Sequence, residues 1–395
     1  MKYFKSLALS AIAALLLVAC GGGDPDVPGS GSPSGAPTTQ GTFSAVVSFG
    51  DSLSDIGTYA PATSLAGDGT APYFGGKFTT NSDGATDPIW VQNLATTLGV
   101  IVTPAEVGFG GNSVKCPAAA NPALAGTCTA YGQGGARVTD PNGIGKSGGA
   151  LTVPMVTQIA NHLARFTSFK DTDLILVYGG NNDVLIQFGA FAATAAQIQA
   201  DAAAGTITAD QANTLLFNAQ TAAQAEIKKA ALELAGYVRT QILAKGGKYV
   251  AVMTLSDIVD TPFGQSLPAS ARPVLTDLSR VFNLWLRDGL TGQPVQLIDT
   301  FVLFKDAYTN PAKYGITNNT VPTCDPAKIS AITGGAVTDG SSLFCNSTPG
   351  APYNGLRTGA DVTTWQFADG VHPTTGGHKT ISDAFTAQLV SFGWL

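Results

Sequence analysis

Charge is scarce in this chain. Only 12% of its 395 residues are Asp, Glu, Lys or Arg, the net charge is -6, and lysines and arginines nowhere cluster. A nucleic-acid surface needs a basic stripe to neutralise phosphates, so that class of partner is excluded. Histidine is scarcer still: His162, His372 and His378 are the full set. His372 and His378 stand six apart with no third ligand evident, which argues against a metal site. Beyond the first twenty residues no run is long and apolar enough to span a bilayer. Glycine, by contrast, is abundant, as in loop-rich exported proteins.

The first residues read as a targeting segment. Lys2 and Lys5 precede an apolar stretch from Leu7 to Ala19, and Leu17-Val18-Ala19-Cys20 resembles the bacterial lipobox. That resemblance implies a signal peptide over 1–19, cleavage before Cys20 and lipid on its sulfur. Gly21 at the next position leans toward the outer membrane, facing the periplasm or the surface. A lipid anchor lies on a membrane rather than spanning it. Residues 20–41 hold Gly, Pro, Ser and Thr with almost no large apolar side chain, the composition of a flexible tether. A single domain is expected over 42–395.

Besides Cys20 the chain has Cys116, Cys128, Cys324 and Cys345. In an exported chain an even number suggests disulfides, and the local pairs Cys116–Cys128 and Cys324–Cys345 each close a Gly/Pro-rich loop. Zinc is the rival reading, but no pair has C-x-x-C spacing.

Short β-branched runs alternate with helical patterns. Ala45–Phe49, Asp173–Tyr178, Lys248–Leu255 and Val295–Ile298 are near-continuously apolar, as strands covered on both faces are. Helical patterns fall at Pro88–Leu98, Val153–Phe166 and Leu278–Leu290, and the stripe Ile381, Phe385, Leu389 marks a C-terminal helix. The alternation predicts a three-layer α/β/α sandwich on a parallel sheet. An Ala-rich tract from Phe188 to Lys245, broken at Gly205, predicts an inserted helical hairpin over about 188–245.

One glycine-rich stretch imitates three motifs. Residues Gly143 to Gly149 fit a dinucleotide fingerprint, part of a phosphate loop and G-x-S-x-G. The fingerprint and G-x-S-x-G need a strand entering them, and here the turn cluster Asp140-Pro141-Asn142 enters instead; the phosphate loop fails because Asp140 stands where its first glycine is required.

A second constellation is harder to dismiss. Ser52 follows the apolar run ending at Phe49 and sits among Gly50, Asp51 and Leu53, where glycine permits a sharp turn. It could equally cap a helix through its hydroxyl. His372 lies in Asp369-Gly370-Val371-His372-Pro373. Asp369 can fold back onto the ring Nδ1, fixing the tautomer and leaving Nε2 as base for a serine; a carboxylate bonding only turn backbone is the alternative. His162 suits a surface or core role, and His378 begins the last helix, where an exposed side chain suffices. Tyr131-Gly132-Gln133-Gly134-Gly135-Ala136 and Gly179-Gly180-Asn181-Asn182-Asp183 offer N–H donors for an oxyanion.

Together these segments resemble the GDSL lipase/esterase family, also called SGNH hydrolases. Phe49-Gly50-Asp51-Ser52-Leu53-Ser54-Asp55 matches its first block, Gly134-Gly135-Ala136 its second, Gly180-Asn181-Asn182-Asp183 its third and Asp369 to Pro373 its last. The resemblance implies an SGNH (flavodoxin-like) fold and a serine esterase with Ser52 as nucleophile, His372 as base and Asp369 as its orienter. It implies an oxyanion hole from the Ser52 and Gly135 N–H groups and the Asn182 amide. Two departures leave choices open: Ala130 replaces the usual Asn, so Gly134 competes with Gly135, and Asn181 competes with Asn182. No metal or organic cofactor is implied. The substrate is an ester of a small molecule, lipid or glycan; an O-acetyl esterase on polysaccharide and a catalytically inactive binding module of the same fold are the alternatives. Oligomeric state is not legible.

Overall fold

The computed structural model describes residues 31–70, 75–82, 87–350 and 353–395. The expected signal segment, Cys20 and the linker up to residue 30 lie outside the described residues.

Eight strands form among the described residues: β1 (Ala45–Gly50), β2 (Thr103–Pro104), β3 (Glu106–Phe109), β4 (Asn112–Lys115), β5 (Cys128–Ala130), β6 (Asp173–Tyr178), β7 (Tyr249–Met253) and β8 (Gln296–Ile298). Six of them make one sheet in the order β2-β5-β1-β6-β7-β8, every pairing parallel. β3 and β4 form a separate antiparallel hairpin. The strands predicted from apolar runs are β1, β6, β7 and β8. Nothing in the sequence marked β2, β5 or the hairpin, because such short or polar segments carry no period of their own.

The sheet is flanked by α1 (Trp90–Thr97), α2 (Met155–Phe166), α3 (Asn181–Ala203), α4 (Ala209–Tyr237), α5 (Arg272–Gly289), α6 (Thr300–Thr309) and α7 (Thr375–Ser391). Phe385 of α7 packs on Trp90 of α1, Tyr178 of β6 and Phe304 of α6. On the other side α3, α4 and α5 pack on one another. The three-layer sandwich is therefore the observed architecture. α3 and α4 are the expected hairpin with its break at Gly205, but α3 starts at Asn181, seven residues before the predicted boundary. The apolar period was hidden there by Asn181, Asn182 and Asp183, polar residues that a helix's first turn accepts readily.

Residues 34–41, expected as the end of a free tether, are docked on the domain. Trp394 Nε1 donates to the Pro37 carbonyl at 2.7 Å, Tyr249 Oη donates to Gln40 and Gly41 donates to Trp394. A Pro/Thr segment builds no core of its own, yet its backbone groups are satisfied by side chains at the sheet's lower edge. Both expected disulfides form, Cys116–Cys128 and Cys324–Cys345.

His162 on α2 is a core residue. It is 2% exposed, stacks on Phe169 at 4.4 Å, and neither ring nitrogen has a partner among the described residues. Burial, then the nearby Arg165 and Lys170 charges, lowers its imidazole to about 4 from 6.5. Between those values the unfolded chain takes up a proton that the folded chain refuses, so stability falls as acid is added through that window. His162→Phe keeps the packing and removes the titration. Urea unfolding at about pH 7 and pH 4 should show a smaller loss in the variant, by up to about 3 kcal/mol. Equal losses would show that the ring titrates normally in the fold.

Candidate active site

The site lies where three strands of the parallel sheet end. β1 runs into Ser52, β5 into residues 131–136 and β6 into Asn181 and Asn182. The chain leaves β1 toward β5 and later returns to β6 on its other side, so β1 is where the strand order reverses, the usual ligand position in such sheets.

The turn after β1 is closed by Asp51. Its carboxylate accepts from the Leu53 N–H at 3.1 Å, capping the single helical turn Ser52–Ser54. Ser52 is thus not the cap; its hydroxyl is left for other work. A side chain at Gly50 would overlap the Tyr178 carbonyl, so glycine is required where the turn leaves the sheet. Gln158 of α2 satisfies both backbone groups of Gly50, at 2.9 and 2.8 Å. Asp51 also accepts from the Asn181 amide at 3.1 Å. Burial pushes the Asp51 carboxyl up to about 6, against the opposing pull of Asn181, Leu53 and His372.

Ser52 and His372, 320 residues apart in sequence, meet with Oγ and Nε2 at 2.9 Å. On the other ring edge Nδ1 lies 2.9 and 2.8 Å from the two Asp369 oxygens. A carboxylate only accepts, so Nδ1 carries the proton and Nε2 accepts from the serine. Asp369 Oδ1 also accepts from the Val371 and His372 N–H groups, so it does both jobs that the sequence left as alternatives. Its second oxygen accepts from the Ser342 N–H at 2.8 Å. Burial alone would raise this carboxyl, but His372 and these donors hold it well below the usual carboxylate range. The turn itself is pinned by a Phe367–Pro373 bridge and by the Phe263 N–H on the Gly370 carbonyl.

Around residues 132–138 the bonding separates the open choices. Gly134 donates its N–H to Asp55 at 2.8 Å, while Gly135 adopts φ 79° and has no room for a side chain against the Ile144 carbonyl. The Asn181 amide is engaged by Asp51, and the Asn182 amide donates one hydrogen to the Ala136 carbonyl at 2.8 Å. Asn182 retains a second N–H. Asp183 fastens this loop, accepting from Arg137 Nε at 2.9 Å and Val138 N at 3.0 Å. Burial pulls Asp183 up and the guanidinium pulls it back.

Sequence reasoning missed several neighbours. The Phe78 ring packs on the His372 imidazole at 4.8 Å, and its carbonyl accepts from His378 Nε2 at 3.4 Å. His378 is fully buried rather than exposed, because the start of α7 packs beneath residues 77–81. Burial lowers its imidazole to about 3, so it stays neutral. Asp55 and Asp183 stood inside the quoted motifs, but only as flanking letters. Ser342 carried no signal at all.

A sequence profile of the family described as GDSL-like Lipase/Acylhydrolase matches residues 46–385. The chain is also similar to two proteins named Esterase EstA, from Pseudomonas aeruginosa and Pseudomonas putida, each 30% identical over 153 residues. That stretch is 37% of this chain and 20% of each relative, so the match spans about a fifth of their length.

Asp183→Ala should leave Arg137, whose side chain is 13% exposed, with Asp140 as its remaining partner. Removing one member of a buried pair costs about 3 kcal/mol. Urea denaturation reads this directly, and a loss under about 1 kcal/mol would mean that the pair does not fasten the loop.

Proposed function

The chain belongs to the GDSL-like lipase/acylhydrolase family, and from that premise we propose that it hydrolyses carboxylic esters through Ser52, His372 and Asp369. The observation that carries this reading is the continuous line from the Ser52 hydroxyl through the His372 imidazole to Asp369. As the Ser52 oxygen attacks the ester carbonyl, its proton passes to His372 Nε2, and the carbonyl electrons move onto oxygen. Collapse expels the alcohol, which takes that proton, and leaves an acyl-enzyme. Water then repeats the sequence in the acyl-enzyme, regenerating serine and releasing the acid. Asp369 holds the ring and stabilises the imidazolium without becoming protonated.

The developing oxyanion is assigned to the N–H groups of Ser52 and Gly135 and the free hydrogen of the Asn182 amide. Two observations support that choice: the Gly134 N–H is already engaged by Asp55, and β1, β5 and β6 end together. Asn182 also stands in the first turn of α3, whose N-terminal end favours negative charge. For the whole protein, the lipobox-like Cys20 supports an exported, lipid-anchored enzyme on the outer membrane of a bacterial envelope. Labelling with radioactive palmitate in the expressing cell should mark the wild type and not Cys20→Ala; equal labelling would refute the anchor.

Release of nitrophenol from short-chain esters measures the reaction. Ser52→Ala should abolish turnover, and Asn182→Ala should lower kcat by about 10²–10³ with KM little changed. Undiminished activity in Ser52→Ala would overturn the assignment of the nucleophile. A panel of esters graded by acyl length on the wild type identifies the acid the site prefers.

A further inference from the structure

Asp369 takes its hydrogen bonds from two sources. Val371 N, His372 N and His372 Nδ1 come from its own turn. The remaining donor among the described residues, the Ser342 N–H at 2.8 Å, comes from 27 residues earlier. Ser342 opens a short helical turn, Ser342–Phe344, inside a lobe with its own small core of Cys324, Ile329, Val337, Cys345 and Ala368. The Cys324–Cys345 disulfide joins the two sides of this lobe. On one side Cys324 donates its N–H to Ala368, the residue before Asp369; on the other Cys345 donates to the Ser342 carbonyl. Asn81 clamps the same turn, its amide bonding both the Ser342 and Cys345 carbonyls.

We propose that Ser342 is a positioning residue for the reaction: its backbone N–H, held by the disulfide-closed lobe, fixes Asp369 and disperses its charge. This deepens the triad reading above and rests on it. A buried carboxylate that loses a donor concentrates its charge on the remaining partners. Here the chief remaining partner is the His372 ring, so the imidazolium becomes better stabilised and the ring keeps its proton to higher pH. Loss of the Ser342 N–H therefore moves the acid limb of kcat/KM upward in pH. A loosened Asp369 also lowers kcat and leaves KM nearly unchanged, since Ser342 is fully buried.

A proline at 342 deletes the donor and puts its ring Cδ in the place of the proton that faces Asp369. Ser342 is the first residue of its helical turn, and Ser341 has φ -49° and ψ 126°, both compatible with a following proline. Ser342→Pro removes the N–H. Ser342→Ala keeps the N–H and removes only the hydroxyl, whose own pull on the Asp369 carboxyl is thereby separated from that of the backbone donor.

Rates on a soluble nitrophenyl ester are measured from about pH 5 to 9 for wild type and both variants. Ser342→Ala, which keeps the N–H, should move the acid limb less than Ser342→Pro does. Ser342→Pro should show kcat lower by about tenfold, KM within about twofold, and an acid limb higher by roughly half a pH unit. A folded Ser342→Pro with wild-type kcat and an unmoved acid limb overturns the proposal. A second measurement, independent of whether that variant folds, uses Asp369→Asn, which keeps the side chain's shape and removes its charge. The Ser342 amide proton, read by NMR in the full chain, should move upfield in Asp369→Asn; an unchanged resonance overturns the proposal. Full activity in Ser52→Ala would instead defeat the triad reading and leave the amide resonance result standing.

Discussion

An ionised carboxylate sealed from water has to be surrounded by donors, and Asp369 sets that requirement for this protein. It is 6% exposed and stays charged because four N–H groups converge on it. Three come from the Asp-Gly-Val-His turn, which explains why the turn is so compact. The fourth must be delivered from elsewhere, and a whole lobe with its own disulfide and core delivers it. With the carboxylate fixed, the imidazole has one orientation, and Nε2 points at Ser52.

The same device recurs along the upper edge of the sheet. Asp51 joins the Ser52 turn to Asn181, Asp55 joins it to Gly134, and Asp183 joins α3 to Arg137 and Val138. Each is a buried acid that accepts from a backbone or side-chain donor on a different segment. A hydrophobic core does not specify position to fractions of an ångström, whereas a carboxylate with directed donors does. In a chain so short of charge, acidic residues gathered at one edge of the sheet act as fasteners between loops that carry reacting groups.

How much of this was legible follows from range. The runs 45–49 and 173–178 announced buried strands because every residue there except Ala45 at the strand's start is buried. Asp369 and His372 announced each other because three residues make a turn that local geometry closes. The disulfides were legible for the same reason: each closes a short loop. β5 was not, since Cys128–Ala130 is a strand only by pairing with β1 and β2. His378 was misplaced because an imidazole at a helix start is normally wet, and only residues 77–81 folding over it make it dry. Ser342 lay beyond any local rule; the group that reaches Asp369 at 2.8 Å is a peptide N–H that every residue but proline has.

The helical insertion also changes meaning once its start is known. α3 begins at Asn181, so the residues facing Ser52 and the first arm of the hairpin are one continuous rod. The second arm returns to the same loop: Thr139 donates to Glu233 at 2.6 Å and lies 2.9 Å from the Tyr237 hydroxyl, both on α4. Arg137, Val138 and Thr139 are therefore gripped from both arms, a few residues after Gly135. Glycine adopts φ 79° without strain but is equally free to leave it, so the surrounding contacts hold the loop there. The hairpin is thus part of what holds the Gly135 N–H in place, and its length serves to bring Glu233 and Tyr237 back beside Asp183. Packing against α5 stiffens the pair from outside. The 131–139 loop is braced by helices and buried acids, and the Asp369–His372 turn by a disulfide lobe; the two sides meet at Ser52 and at the Phe78 ring, which lies against both Gly134 and His372.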